Sequence, residues 1–251
     1  MFDEEMFQKA LDQPRLQGDV PQYLNSTRAE PIRVYQEPEL QAMTKQWFVE
    51  FDRKLEHYSK HFDMDLSWVM TWAKKYWWSF LVRDMDLNHE LYAHDLTYND
   101  VSTFGHTIVG IDEFVKYNFA FFEAIPDWRY DPLPDQVYID VTPEGTVRTM
   151  IRYIGSGHWT GALKLHPFDE SAPRVYGNGR FIQCPAVDRY HFNADGLMQE
   201  GETLYDMIDG LQRVSILPAG DSWQLRGLFA ASKVPVLADK LGQRLKALSG
   251  R

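Results

Sequence analysis

The chain has 251 residues, 44% of them hydrophobic, which is enough apolar material for a buried core and excludes a largely disordered protein. Its formal net charge of −10 argues against a nucleic-acid partner, because phosphate backbones are bound through positively charged patches. No apolar run approaches the roughly 20 residues of a membrane-spanning helix, and the acidic first residues are unlike an export signal. We therefore predict a soluble, cytoplasmic protein that binds neither nucleic acid nor membrane.

Metal ions and cofactors are not indicated by the sequence. The single cysteine, Cys184, cannot form an internal disulfide or supply a multi-thiolate metal site. The eight histidines lack the spacing of a metal site, and the glycines form no phosphate-binding loop between a strand and a helix. We predict no metal and no cofactor.

The N-terminal part, residues 1–65, is predicted as an extension with one helix. Its first residues contain breakers such as Pro21 and Pro31 and few periodic apolar positions, which indicates a segment wrapped over a surface. From 37 to 57, apolar residues recur at steps of three and four. This is the spacing of a helix with one buried face.

Residues 66–82 form an aromatic-rich predicted helix that is apolar on two sides, so both sides must be covered. The simpler interpretation of each aromatic side chain is ordinary core packing. Taken together, we expect some of them, namely Trp72, Tyr76 and Trp77, to contact a bound ligand. A short helix at 86–92 follows.

Strand patterns dominate the second half of the chain. A strand is predicted at 96–101, and a helix at 111–124 carries Asp112 and Glu113 in its first turn, where the helix dipole favours acids. Four strands and a final helix follow at 137–141, 147–154, 179–192, 197–206 and 225–248.

This order of elements resembles the SnoaL-like branch of the nuclear-transport-factor-like superfamily. Three stretches are similar to motifs of that family: LYAHDLTYND, IRYIGSGHWTG and NADGLMQEGETLYD. The resemblance implies an α+β fold in which a cone-shaped, curved antiparallel sheet is covered by helices. It places this cone domain at residues 66–217, between the N-terminal helical extension 1–65 and a C-terminal helical extension 218–251.

The resemblance also implies cofactor-free chemistry, in which polar groups at the deep end of an apolar cavity move protons on a small molecule. Tyr98 and Asp100 lie two apart on the first strand, so their side chains share a face. We predict that this face looks into the cavity, with Asp100 as general base and Tyr98 orienting it or the substrate. The alternative is a strand-end carboxylate that faces water.

Arg152, His191 and Tyr205 complete the predicted catalytic set. Arg152 lies on a strand that matches a family motif and is expected to stabilise negative charge, and His191 is expected to shuttle protons. The alternatives are a surface arginine and a structural histidine. The other predicted substrate-binding residues are Phe104, Phe121, Met150 and Arg189.

Two positions depart from the family pattern. The epoxide-hydrolysing members of the family activate water with acids at positions that here hold Ile154 and Thr203. The water-activating set is therefore absent, which argues against epoxide hydrolysis. Asp188 and Asp206 are the other acids expected near the site.

We predict a cofactor-independent lyase that acts on a hydrophobic aromatic small molecule. The chain resembles the diarylpropane and phenylcoumaran γ-formaldehyde lyases, which implies release of formaldehyde from a lignin-derived diaryl dimer to give a stilbene. The alternatives are a polyketide- or steroid-type cyclase, isomerase or dehydratase, and a non-catalytic small-molecule-binding module. A homo-oligomer, dimer or trimer, is expected because Val147, Ile151 and Tyr153 are predicted on the outer face of the sheet, where they need cover.

Overall fold

The computed structural model describes residues 2–24, 31–103, 105–165, 169, 171–220, 222–235 and 237–240. Its helices are α1 (Glu4–Leu11), α2 (Glu37–Phe62), α3 (Ser67–Val82), α4 (Ile111–Ala124), α5 (Met207–Arg213) and α6 (Trp223–Ala231). Its strands are β1 (Tyr23–Leu24), β2 (Ile32–Arg33), β3 (Tyr92–Asp100), β4 (Ile108–Val109), β5 (Arg129–Val141), β6 (Val147–His158), β7 (Ala162–Lys164), β8 (Arg174–Tyr176), β9 (Phe181–Phe192) and β10 (Met198–Tyr205). Among the described residues, none of the helices has both the length and the apolar character needed to cross a membrane.

One six-stranded sheet organises the molecule, in the order β4–β3–β10–β9–β6–β5. Neighbouring strands are antiparallel except β3 and β10, which run parallel. Helix α2 packs along β5, and α4 packs against β3. The predicted α+β fold, a curved sheet covered by helices with an N-terminal helical part, is confirmed.

Helix ends follow local signals in the sequence. At the start of α2 the backbone N–H of Gln36 donates to Oε2 of Glu39 at 2.9 Å, which satisfies one free donor of the first turn. The helix continues beyond the predicted end at residue 57. Helix α4 follows Gly110, whose φ of 83° is readily adopted by glycine, and it matches the predicted range.

Two strands begin earlier than predicted. β5 starts at Arg129 rather than at 137. Its first half contains Pro132 and Pro134, and because proline is unfavourable inside strands, the sequence does not indicate a strand there. A register shift between Pro132 and Val137 accommodates them. β3 starts at Tyr92, where the sequence pattern indicated the end of a helix.

The predicted final helix, 225–248, is described in part. α6 begins slightly earlier, with the Oγ of Ser222 accepting from the backbone N–H of Leu225 at 3.2 Å. Of the predicted range, residue 236 and residues 241–248 lie outside the described residues.

Aromatic rings join the N-terminal helices to the sheet. Trp47 of α2 stacks on Phe51 and on Trp77 of α3, with ring centroids 4.4 and 5.1 Å apart. Phe7 of α1 is fully buried in the same cluster. The N-terminal helices therefore share one core with the sheet, and the division of the chain at residue 65 stays a prediction.

The two faces of β6 differ from the predicted assignment. Val147, Ile151 and Tyr153 are buried beneath the chain's own helices and cannot form an uncovered outer face. Met150 and Arg152 lie on the exposed face instead. The expectation that the first three side chains need cover from a second copy is wrong, so the predicted oligomer loses this argument.

Candidate active site

A cavity lies between the inner face of the sheet and helices α3 and α4. It encloses about 820 Å³ of space between atoms, the solvent at its mouth included. Its wall is mostly aromatic, and eight helices and strands contribute to it. The aromatic lining residues are Tyr76, Phe80, Tyr98, Phe114, Tyr117, Phe121, Phe122, Trp128, Tyr130, Tyr153, Trp159 and Tyr205.

Two carboxylates lie on one cross-strand row of this wall. Thr203 of β10 is the register partner of Asp100 on β3 and of Asp188 on β9. Neighbouring strands are about 4.8 Å apart, so the Cα atoms of the two acids are separated by about 10 Å. Register partners point to the same side of a sheet, and all three side chains line the cavity.

Asp188 is the centre of the polar network. Its carboxylate accepts hydrogen bonds from the hydroxyls of Tyr130 at 2.9 Å, Tyr190 at 2.6 Å and Thr203 at 2.7 Å. The side chain is nearly inaccessible, with a residue exposure of 2%. Burial raises the pKa of Asp188 to about 6, although the three donors favour the charged form. Asp188 can therefore exchange a proton close to neutral pH.

The network extends outward through two further phenols. Thr203 and Tyr190 use their hydroxyl hydrogens on Asp188, so they must accept from Tyr98 and Tyr76, respectively. The Tyr76 and Tyr190 oxygens are 2.8 Å apart. Burial holds the pKa of all three tyrosines well above its ordinary value, so these phenols are neutral donors.

Asp100 has a separate set of donors. Its Oδ1 accepts from the backbone N–H and hydroxyl of Ser102, and its Oδ2 accepts from the hydroxyl of Tyr117 at 2.6 Å. Burial raises the pKa of this carboxyl as well. The structure thus brings Tyr98 and Asp100 to one face inside the cavity, and the alternative of a water-facing Asp100 is wrong. Their catalytic roles stay a prediction.

A glycine makes the link from Tyr98 to Thr203 possible. Gly201 pairs with Tyr98 across β3 and β10, and a Cβ at this position would lie 2.4 Å from the Cδ2 of Tyr98. Such a distance is far below van der Waals contact, so any side chain would push the ring aside. The absence of a side chain lets the tyrosine lie across β10 and reach the threonine.

Several predicted site residues lie on the outer face of the sheet. Arg152 is exposed and donates to Oε1 of Gln136 at 2.9 Å. Met150 is 43% exposed on the same face. Their predicted contact with the cavity is wrong, because the inward residues of β6 are the odd-numbered ones that pack under the helices.

The same correction applies to β9. His191 is half-buried beside Glu200, and Arg189 is exposed and donates to Glu202 at 3.3 Å. Both lie on the outer face, since the inward positions of β9 are the even-numbered ones. The predicted roles of His191 and Arg189 in the cavity are therefore wrong.

The predicted aromatic contacts divide into two groups. Tyr76, Phe121 and Tyr205 line the cavity. Trp72 and Trp77 are buried in the core behind the wall, where their indole N–H groups donate to the carbonyls of Leu91 at 2.7 Å and Tyr130 at 3.3 Å. Their predicted ligand contact is not supported, and Phe104 lies outside the described residues.

Sequence reasoning gave too little weight to Asp188 and missed its donors Tyr130 and Tyr190. A signal was present in the alternation of β9, where one face reads Cys184, Ala186, Asp188, Tyr190 and Phe192. A single acid in an otherwise apolar series indicates a buried carboxylate with a specific set of donors. The described residues contain no group of three or more His, Cys, Asp or Glu side chains able to hold a metal ion.

Solved structures similar to this chain share little sequence with it. A protein named as a SnoaL-like polyketide cyclase from Jannaschia sp. CCS1 is 17% identical over 53% of this chain and 80% of its own, with a TM-score of 0.41. TsrD from Streptomyces laurentii is 12% identical over 61% and 99%, with a TM-score of 0.48. A protein with a ketosteroid isomerase-like fold from Catenulispora acidiphila is 17% identical over 55% and 85%, with a TM-score of 0.39.

No protein-family model matches the chain, and no curated protein sequence matches it. At these identities and TM-scores, the likeness to solved structures concerns the type of fold and establishes neither an activity nor a ligand. The candidate site therefore rests on its own geometry.

Proposed function

We propose that the protein is a cofactor-independent enzyme that moves protons on a hydrophobic aromatic small molecule. One observation carries the proposal: a buried carboxylate, Asp188, lies in the wall of an aromatic cavity with three hydroxyl donors around it. A carboxylate whose pKa is raised toward neutrality is suited to proton transfer, because both of its forms are populated near the working pH.

The two acids of the cross-strand row supply complementary roles. Asp188 in its ionised form is the base that accepts a proton from the substrate. Asp100, whose pKa is also raised by burial, is the acid that donates to a leaving oxygen. The neutral phenols of Tyr98 and Tyr130 position the reacting groups by hydrogen bonding.

The specific reaction we propose is the release of formaldehyde from a diaryl propane-1,3-diol with a para-phenol. Departure of the benzylic hydroxyl as water, with a proton from Asp100 and release of the phenol proton to solvent, gives a quinone methide. Asp188 then takes the proton of the terminal hydroxyl, the carbon–carbon bond breaks, and its electron pair restores the aromatic ring as a phenolate while formaldehyde leaves. The phenolate and Asp100 regain protons from solvent, and Asp188 releases its proton to solvent. The products are a stilbene, formaldehyde and water, so no oxidant or reductant is needed.

The position of Arg152 changes this proposal in one respect. The sequence predicts that Arg152 stabilises negative charge in the cavity, but Arg152 lies on the outer face of the sheet and cannot assist the departing hydroxyl. The proton must therefore come from a carboxyl or phenol of the cavity. This requires Asp100 or a tyrosine to be protonated when the hydroxyl leaves.

The test is turnover of a para-hydroxylated diaryl propane-1,3-diol by purified protein treated with a chelator. We expect an increase in stilbene absorbance together with one formaldehyde per stilbene, and a strong loss of both in Asp188→Asn. Asp140→Asn is the matched control, since Asp140 is exposed on the outer face and pairs with Arg148 at 3.2 Å. Failure across a panel of such diols rejects the lyase reaction.

A non-catalytic binding module is the second candidate. Both oxygens of Asp188 already have protein donors, an arrangement that a purely structural buried carboxylate also shows. A protein that binds diaryl compounds but leaves both diols and ring ketones unchanged, in the wild type and in Asp188→Asn alike, supports this candidate. Turnover of a ring ketone instead supports an isomerase or cyclase.

A further inference from the structure

The charge of the cavity wall is one-sided. Asp100 and Asp188 are both buried in it, and no Lys, Arg or His belongs to the part of the wall that the structure describes. Hydrogen bonds from hydroxyls, rather than cations, stabilise the two carboxylates. An anionic ligand would therefore meet two carboxylates and no counter-charge in a mostly apolar site.

Two arginines lie next to residues of the wall but outside the cavity. Arg129 binds Asp131 through two hydrogen bonds of 2.8 Å and also binds Glu37. Arg83 lies 4.0 Å from the ring centroid of Phe122 and donates to two backbone carbonyls. Neither guanidinium lines the cavity, and the Nη1 of Arg83, which has no hydrogen-bond partner among the described residues, is buried on the ring of Phe122 outside the wall.

Four hydroxyl donors in or beside the wall are committed in the same way. Tyr130, Tyr190 and Thr203 donate to Asp188, and Tyr117 donates to Asp100. A ligand carboxylate that took one of these donors would weaken the pairing of a buried aspartate, which is costly. The indole N–H of Trp159, which has no partner in the part of the chain that the structure describes, is a neutral donor that supplies no counter-charge. A ligand hydroxyl, in contrast, can donate to Asp188 and displace one tyrosine without adding charge.

We infer that the cavity selects uncharged aromatic alcohols and phenols and rejects aromatic carboxylates of the same shape. This inference rests on the proposed function and narrows its substrate class, because aromatic acids and phosphorylated compounds are excluded. The selecting residues are Asp100 and Asp188, which act through the negative charge of their ionised forms; when Asp100 is protonated to serve as the acid, Asp188 alone carries the charge.

The test compares binding of two ligands of matched shape, 2,3-diphenylpropan-1-ol and 2,3-diphenylpropanoate, by isothermal titration calorimetry at pH 8. We expect the alcohol to bind at least tenfold more tightly than the carboxylate. Asp188→Asn and Asp100→Asn each remove one wall charge and should reduce this ratio at least threefold. Asp140→Asn removes an exposed charge of the same kind and should leave the ratio unchanged.

The outcomes separate this inference from the proposed function. Equal binding of the two ligands, or tighter binding of the carboxylate, overturns the charge selection while the aromatic site remains. The charge selection is also overturned if Asp140→Asn reduces the ratio of alcohol to carboxylate binding as much as the cavity variants do. If neither ligand binds, both the selection and the proposed aromatic-binding function are rejected. Near-ultraviolet circular dichroism checks that each variant is folded. If one of the two cavity variants does not fold, the other still tests the inference.

Discussion

The inner and outer faces of β6 and β9 differ in burial and in hydrogen-bond partners, although adjacent residues of the chain form them. Asp188 is buried among hydroxyls, whereas its neighbour Arg189 is exposed and pairs with Glu202. Tyr153 lines the cavity, whereas Arg152 bonds to Gln136 in solvent. A shift of one residue thus separates a candidate catalytic group from a surface charge, because strand side chains alternate.

The largest expected difference between the faces is catalytic. We expect Asp188→Asn to lower kcat for a diaryl diol by about 10² to 10⁴, the usual contribution of a general base. The matched outer-face variant Arg152→Gln should change kcat by less than about twofold, because exposed hydrogen bonds contribute little. Steady-state kinetics measure both values. Equal losses in the two variants would show that the inner face has no special role.

The second difference is the pH dependence of stability. The pKa of Asp188 is raised to about 6 in the folded protein, above the value of about 3.9 for an exposed aspartate. Between these values the folded state holds the proton more tightly, so the unfolding free energy contributed by Asp188 falls as pH rises from about 4 to about 6. The loss of unfolding free energy is on the order of 2 to 3 kcal/mol, and it persists at pH values above about 6.

Urea unfolding of wild type and Asp188→Asn at pH 4.5 and 7.5 measures this contribution as a difference. We expect the wild type to lose more stability than the variant between the two pH values. The same pH dependence in both proteins would contradict the burial of a titrating carboxylate at this position.

The third comparison concerns two glycines. Gly201→Ala places a methyl group against the ring of Tyr98, and we expect a loss of about 1 to 3 kcal/mol in unfolding free energy, as for other overpacked sites. Gly227 in α6 has open space around it, so Gly227→Ala should be neutral or slightly stabilising. Thermal unfolding followed by circular dichroism compares the two, and similar effects would argue against the close contact at Gly201.

The smallest expected effect belongs to Thr203→Val, which keeps the shape of the side chain but removes one donor from Asp188. We expect a loss of about 1 kcal/mol in stability and a further rise in the pKa of Asp188, which moves the rising limb of the pH–rate profile toward higher pH. Thr107→Val, at an exposed hydroxyl that donates to Asn99 at 2.8 Å, should move neither quantity. An unchanged profile in Thr203→Val would exclude the hydroxyl as a partner of the base.

Local signals made parts of the fold predictable. Helix α4 was bounded correctly because Gly110 and the acids of its first turn mark its start. The first half of β5 was missed because Pro132 and Pro134 argue against a strand, and only the pairing with β6 shows how a register shift absorbs them. Nothing local to the prolines reveals that shift.

The candidate site was predictable only in part, for a different reason. Tyr98 and Asp100 were identified through the resemblance of their strand to a family motif, and strand alternation places their side chains on one face. On β9 the otherwise apolar series around Asp188 favours that face over the face of His191. The donors Tyr130 and Thr203, however, come from β5 and β10, and this meeting of distant strands is not encoded in the sequence of β9 alone.

The parallel pairing of β3 with β10 has a consequence for the order in which the protein folds. The hydrogen bond between Tyr98 and Thr203 joins residues 105 positions apart in the sequence, and α4 and strands β4 to β9 lie between them. Contacts of such long range are slow to form, because loop-closure entropy must be overcome before they stabilise anything. The cross-strand row of Asp100, Thr203 and Asp188 is therefore completed only when β10 pairs with β3 and β9, and a nascent chain that ends before β10 lacks Thr203 and Tyr205 of the cavity wall.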